Sequence, residues 1–196
     1  AAANRNMWPP RGAHEEFDWE QPTYKVYHDP NYDKFSPNFS SARGKLDYTY
    51  HLNPARTRQR LQDDILNRVV EGQASSCGAT KYRRPWIVFS AGPMGVGKGY
   101  VLSELNDKGL FPLDDFLKID PDMLKSELPE IAGYLRLDPS SAATKLHRES
   151  TQMADILLEY ALEARVPTLV DGSLRDVVFY KTLLERIRKE FPEYRM

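Results

Sequence analysis

The chain has 196 residues, 41% hydrophobic and 28% charged, with a formal net charge of −1 at pH 7 and a single cysteine, Cys77. That composition suits a globular protein with one sizeable core plus appendages, and its charge balance speaks against nucleic acid or an anionic membrane as a partner. One cysteine excludes an internal disulfide and points to a reducing intracellular setting, cytoplasm or organelle lumen; no apolar run reaches transmembrane length or forms a signal-peptide core.

Residues 1–45 read as an extended N-terminal arm. Met7 and Val26 are the only aliphatic side chains there larger than alanine, yet Trp8, Phe17, Trp19, Tyr24, Tyr27, Tyr32, Phe35 and Phe39 alternate with five prolines. Such a segment builds no core of its own. It is ordered where its aromatic anchors find pockets on the main domain or on a protein partner, and otherwise remains a solvated tail. Residues 46–84 form a helix and linker docking on the core. Asn53-Pro54 offers an N-cap and a first-turn proline, and Leu61, Ile65, Leu66, Val69 and Val70 make a stripe at helical spacing. Arg56, Arg58, Arg60 and Arg68 fall mostly off the stripe, on a solvated face or a basic binding face. Gly72 and the polar run from Gln73 to Thr80 end the helix.

From residue 85 to 196 the order strand, loop, helix repeats. Pro85 to Ser90 is an apolar strand that runs into GPMGVGKG, Gly92 to Gly99, and a helix follows from Gly97 to about Asn106. Strand, glycine-rich loop and helix together form a phosphate-binding P-loop: Gly92, Pro93, Met94, Gly95, Val96, Gly97, Lys98, Gly99 and Tyr100 are the nucleotide-binding residues. Lys98 reaches the β- and γ-phosphates as a mobile charge. The usual serine or threonine after the lysine, which puts its hydroxyl on Mg²⁺, is Gly99 here. Either the loop has decayed, or the metal sits on phosphates and waters held by carboxylates further out.

Phe116 to Ile119 is the second strand, and Asp120-Pro121 opens a short helix through Leu128. Asp122 in its first turn is either a residue that favours the helix dipole or a catalytic base. Asp138-Pro139 caps a long helix with Ala143, Leu146, Met153, Ile156, Leu157, Tyr160 and Ala164 along its inner face. Thr168 to Val170 is the third strand. It leads into VDGSLRD, where Asp171 suits ligand binding or a Walker-B-type metal carboxylate and Arg175 is a surface arginine or a phosphate clamp. Asp176 to Glu190 is the last helix. The alternation predicts an α/β, P-loop NTPase-like parallel sheet with helices on both faces and the ligand at the strands' C-terminal ends.

GPMGVGKG, IDPDMLKSELPE, DPSSAATKLHRES, the long helix near Met153 and VDGSLRD, in this order and spacing, resemble the zeta-toxin family of P-loop small-molecule kinases over roughly residues 85–196. The resemblance implies a phosphotransferase that uses ATP or GTP with Mg²⁺ on a hydroxyl of a small molecule, with nucleotide sugars as the acceptor class. By position it makes Lys98 the phosphate lysine and Asp122 the catalytic base. Asp155, Asp171, Ser173 and Arg175 then fall where the family binds the sugar nucleotide or lines its cleft, and Lys125, one turn beyond Asp122, either joins them or is a surface lysine. Asp155 and Asp171 stand where the bacterial toxins tend to have glutamate, so their shorter arms put the bacterial substrate in doubt. In the family, further arginines follow the next strand, in a lid region. The chain reaches Arg195-Met196 where that strand is expected, which leaves two readings: a fragment of a longer kinase, or a degenerate, non-catalytic P-loop domain that serves as a structural or binding component of an assembly.

Overall fold

The computed structural model describes residues 17–74, 84–93 and 95–196. Trp8, Cys77, Met94 and the linker from residue 75 to 80 lie outside the described residues. In chain order the elements are α1 (Thr23–Val26), α2 (Ser40–Arg43), α3 (Arg56–Ala74), β1 (Ile87–Ser90), α4 (Lys98–Asp107), β2 (Leu117–Ile119), α5 (Pro121–Ser126), α6 (Ile131–Leu137), α7 (Pro139–Ala164), β3 (Thr168–Asp171) and α8 (Val177–Glu190). The strands form one parallel sheet in the order β1-β3-β2, the P-loop NTPase-like arrangement expected. The described chain divides into two compact units. One holds the residues through Ile65 with Pro121–Ile156, the other Leu66–Asp120 with Leu157–Met196.

The second unit contains the sheet. Ile87, Leu117, Ile119 and Leu169 are fully buried, as short apolar parallel strands should be. The register pairs Phe89 with Val170 and Ser90 with Asp171, so the polar ends of β1 and β3 lie side by side. Beyond the other edge of β1, Arg195 forms an isolated parallel bridge with Trp86. Tyr194 anchors this segment: its single hydroxyl proton is shared between the carbonyls of Ala161 and Val166, at 2.7 and 2.9 Å.

The first unit is organised around a buried charge. Arg58 of α3 is 1% exposed. Its Nε and Nη2 donate to Glu149 of α7 at 2.7 and 2.9 Å, and its Nη1 and Nη2 to Glu130 at 2.8 and 2.9 Å. The Tyr27 ring lies 3.9 Å from the guanidinium, and the Tyr27 hydroxyl donates to Glu130. Burial opposes the charge on Arg58, but attraction and hydrogen bonds from Glu149 and then Glu130 outweigh it and raise the group above its ordinary value. Burial likewise pushes Glu149 up, and Arg58 overrides it and holds the carboxyl below the ordinary range. Beside this pair, Arg43 donates to Gln62 and Asp63, and Gln62 donates to Glu149. Gln59 accepts from the Ser36 N–H and donates to the Lys34 carbonyl.

The arm docks here as well. Trp19 packs edge-on against Tyr134 of α6 at 5.3 Å, Tyr134 donates to the Gln21 carbonyl, and Lys145 donates to the Trp19 carbonyl. A Cβ built on Gly133 would lie 2.0 Å from the Trp19 ring, so only glycine admits the indole. Between residues 17 and 45 the arm is not wholly extended. Single turns at α1 and α2 and a 3-10 turn at Pro37–Phe39 interrupt it.

Several expectations need correction. Arg58 is neither solvated nor part of a binding face, because two carboxylates from distant segments bury it. Asn53 is not the cap of α3, which begins at Arg56; its amide donates to the Tyr32 carbonyl and its oxygen accepts from Gln59. α3 ends at Ala74, two residues past Gly72 and inside the polar run expected to stop it. The helix expected through Leu128 ends at Ser126, and α6 follows it unforeseen. Along α7 the expected inner face is buried at Leu146, Met153, Ile156 and Leu157, but at its start Ala142 is buried and Ala143 exposed, because the stripe there passes one residue earlier. The cap foreseen at Asp138 is present, its carboxylate accepting from the Ser140 N–H; α8 has a cap of its own, Asp176, which accepts from the Phe179 N–H.

Arg58→Ala leaves two buried carboxylates facing each other and should cost about 3–5 kcal/mol in urea unfolding; a loss near zero would contradict the buried-charge account. Because the folded pKa of Glu149 lies below its ordinary 4.5, its contribution is complete above that value and is lost as pH falls through the lower folded value. The unfolding midpoint should therefore drop in acid, and less steeply in Glu149→Gln. Gly133→Ala should destabilise the protein and red-shift Trp19 emission, although helix propensity alone favours alanine by about 1 kcal/mol. A more stable variant with unchanged emission would refute the docking of Trp19 on Gly133.

Candidate functional site

The loop after β1 turns on glycine. Gly92, Gly95 and Gly97 have φ of 141, 77 and 90°, values that side-chain-bearing residues rarely adopt, and Gly97 in the left-handed region starts α4. Lys98, the first residue of α4, folds back over the loop. Its Nζ donates to the Gly92 carbonyl at 3.0 Å and the Pro93 carbonyl at 3.3 Å. Pro93, Gly95, Val96, Gly97, Gly99 and Tyr100 are exposed, so the loop's surface faces solvent. A groove of about 370 Å³ adjoins it, lined by Val88, Ser90, Val96, Lys98, Val101 and Leu169 among others.

The parallel register brings Asp171 to this loop. Its Oδ1 lies 3.9 Å from Lys98 Nζ and accepts from Ser90 Oγ at 2.5 Å. The Gly172 N–H donates to the same serine oxygen at 3.3 Å. A Cβ at Gly172 would meet the Tyr180 hydroxyl at 2.8 Å, so any larger residue there would have to displace the Tyr180 side chain. Leu174 then takes a φ of 52°, a left-handed conformation that costs a residue of its kind roughly 1–2 kcal/mol. Ser173 and Arg175 are exposed on this loop, and the Ser173 hydroxyl accepts from the Arg175 N–H. Backbone strain at Leu174 marks the loop after β3 as one held in shape.

The remaining candidates belong to the first unit. Asp122 stands in the first turn of α5 with its side chain 60% exposed, and Lys125 Nζ donates to its Oδ1 at 2.8 Å. Lys125 is therefore not a surface lysine: it is 9% exposed. Asp155 of α7 is paired through Oδ2 with His51 Nε2 at 2.9 Å, and His51 is itself buried. The structure thus brings Lys98 together with Asp171, joins Asp122 to Lys125, and joins Asp155 to His51. Ser90 and His51 were not among the residues expected from sequence. Ser90 had a signal, a hydroxyl ending an apolar strand directly before the loop; His51 sits in an irregular stretch with no pattern around it.

The zeta toxin family model matches residues 71–191. Among solved structures, one described under the PezAT chromosomal toxin–antitoxin system of Streptococcus pneumoniae superposes with a TM-score of 0.56 at 15% identity, over 70% of this chain and 54% of the other. That likeness concerns the fold, and this chain spans about half the length of that structure. Comparison with curated proteins gives no match. Among the described residues no helix is long and apolar enough to cross a membrane. The family match covers well over half of the chain, which belongs to the zeta toxin family.

Proposed function

We propose that this zeta toxin family member binds the polyphosphate of ATP or GTP on the loop Gly92 to Tyr100 and transfers the terminal phosphoryl group to a hydroxyl of a small molecule, with nucleotide sugars the first acceptor class to test. The observation that carries the reading is the meeting of Lys98 and Asp171 at the C-terminal ends of adjacent parallel strands, beneath a loop held open by three glycines. Phosphoryl transfer asks mainly for positioning and charge stabilisation, and these parts supply both.

Each residue has a separate task. Loop N–H groups orient the phosphates, and Lys98 exchanges its carbonyl partners for phosphate oxygens, a favourable trade for an ammonium. Asp171, an oxygen donor beside the loop, suits a hard cation such as Mg²⁺, which neutralises phosphate charge when it enters with the nucleotide. Asp122 accepts the proton of the attacking hydroxyl, with Lys125 steadying its carboxylate. Asp155, oriented by His51, with Ser173 and Arg175 from the loop after β3, contacts the acceptor or its phosphates. Gly99 favours one other reading, in which nucleotide binds without turnover and the domain acts as a binding component of an assembly.

Two measurements separate these readings. In titration calorimetry, ATP or GTP with Mg²⁺ should release heat at micromolar to millimolar concentration, and Lys98→Ala should weaken binding at least about tenfold, in line with the ~1.5–3 kcal/mol of a charged hydrogen bond. No heat for either nucleotide would remove the cofactor assignment. In a screen for phosphorylated nucleotide sugars, Asp122→Asn should keep nucleotide affinity and lower transfer by about 10²–10⁴-fold. An unchanged rate would leave Asp122 as a first-turn residue that only favours the helix dipole, and binding without any product would favour the non-catalytic domain.

A further inference from the structure

Gly99 leaves the loop without the hydroxyl that normally accompanies a phosphate-binding lysine. The next residues of α4, Tyr100, Val101 and Leu102, carry no short hydroxyl either, and Ser103 lies roughly 6 Å further along the axis at 1.5 Å per residue. A hydroxyl does stand at the other side of Lys98, at the end of β1. Ser90 lies opposite Asp171 in the parallel register, so both side chains rise from the same face, and their oxygens meet at 2.5 Å. The serine donates its proton to the carboxylate and takes the Gly172 N–H at 3.3 Å on one lone pair. Its second lone pair remains for another electropositive partner. A hydroxyl whose proton is committed to a carboxylate is a ligand for a hard cation rather than a donor to phosphate.

We propose that Ser90 replaces the hydroxyl missing at Gly99, forming with Asp171 the protein's share of a divalent-cation site that serves the bound nucleotide. The inference rests on the nucleotide-binding reading above. Strand ends favour apolar and β-branched side chains, so a half-buried serine at this position has no packing advantage to explain it. Lys98 lies 3.9 Å from Asp171; when phosphate engages the ammonium, the carboxylate is left with Ser90 as its nearest partner. Among the described residues no group of three His, Cys, Asp or Glu side chains assembles to hold a metal alone. The remaining ligands must then be phosphate oxygens and water, so the cation binds with the nucleotide and not before it.

The test compares ATP affinity in Mg²⁺ and in EDTA, with Mn²⁺ electron paramagnetic resonance as a direct view of the cation. In wild type, Mg²⁺ should tighten ATP binding at least tenfold, and Mn²⁺ should be immobilised only when ATP is present. Ser90→Ala should cut the Mg²⁺ gain below threefold while leaving the EDTA affinity unchanged, and Ser90→Thr should keep the gain. The double variant S90A/G99S should restore it, because a Cβ at Gly99 meets nothing within 4 Å. A Ser90→Ala protein with the full Mg²⁺ gain overturns the proposal. So does one weakened equally in EDTA, which would make the serine a latch between strands. Wild type that binds ATP with no Mg²⁺ gain overturns the cation site alone; wild type that binds no ATP at all overturns the nucleotide reading beneath it.

Discussion

The parallel register of β1 on β3 governs the chemistry of the second unit. Pairing Ser90 with Asp171 sets two polar side chains on one face at the strand ends. A slip of one residue would send Asp171 to the opposite face and leave Lys98 over an apolar edge. The buried run Ile87, Leu117, Ile119 and Leu169 holds that register, since any shift would expose it. Core packing thereby sets the distance between a lysine on the first turn of α4 and a carboxylate some seventy residues further along the chain.

In the first unit the corresponding constraint is electrostatic. A guanidinium withdrawn from water is tolerated only where carboxylates and hydrogen bonds replace its hydration, and Arg58 finds both in Glu149 and Glu130. The same face of α3 presents Gln59, Gln62 and Asp63, and these reach back to Lys34, Ser36 and Arg43 of the arm. The polar core therefore does two things. It orders residues 17–45, a stretch nearly devoid of aliphatic residues, and it fixes α6, whose glycine receives Trp19. An apolar core would give comparable stability with less directional control over where the arm lies.

Much of this architecture was legible in the sequence because the elements of the P-loop half advertise themselves. Short apolar runs before glycine or aspartate gave all three strands to within about two residues, and the Asp-Pro capping signal gave the start of α7. The polar core was not legible. Periodicity reports which residues avoid water on average, and Arg58, Gln59 and Gln62 are buried only because partners up to about ninety residues away meet them. The helix α6 was missed for a related reason: Pro129 and Gly133 argue locally against a helix, and packing of Tyr134 and Trp19 overrides that preference. Among the candidate residues, Lys98, Asp122 and Asp171 were singled out by motif. Ser90 was not, because attention to the gap at Gly99 looks along α4 rather than back along β1.

Polyphosphate binding by the loop between β1 and α4 decides the proposed function. The most direct measurement is amide chemical-shift mapping while ATP with Mg²⁺, and separately pyrophosphate, is titrated into the protein. The Gly95, Val96, Gly97, Lys98 and Gly99 amides should shift first and furthest with both ligands, saturating together. Unmoved loop amides at saturating nucleotide, or shifts confined to other parts of the chain, would contradict polyphosphate binding there.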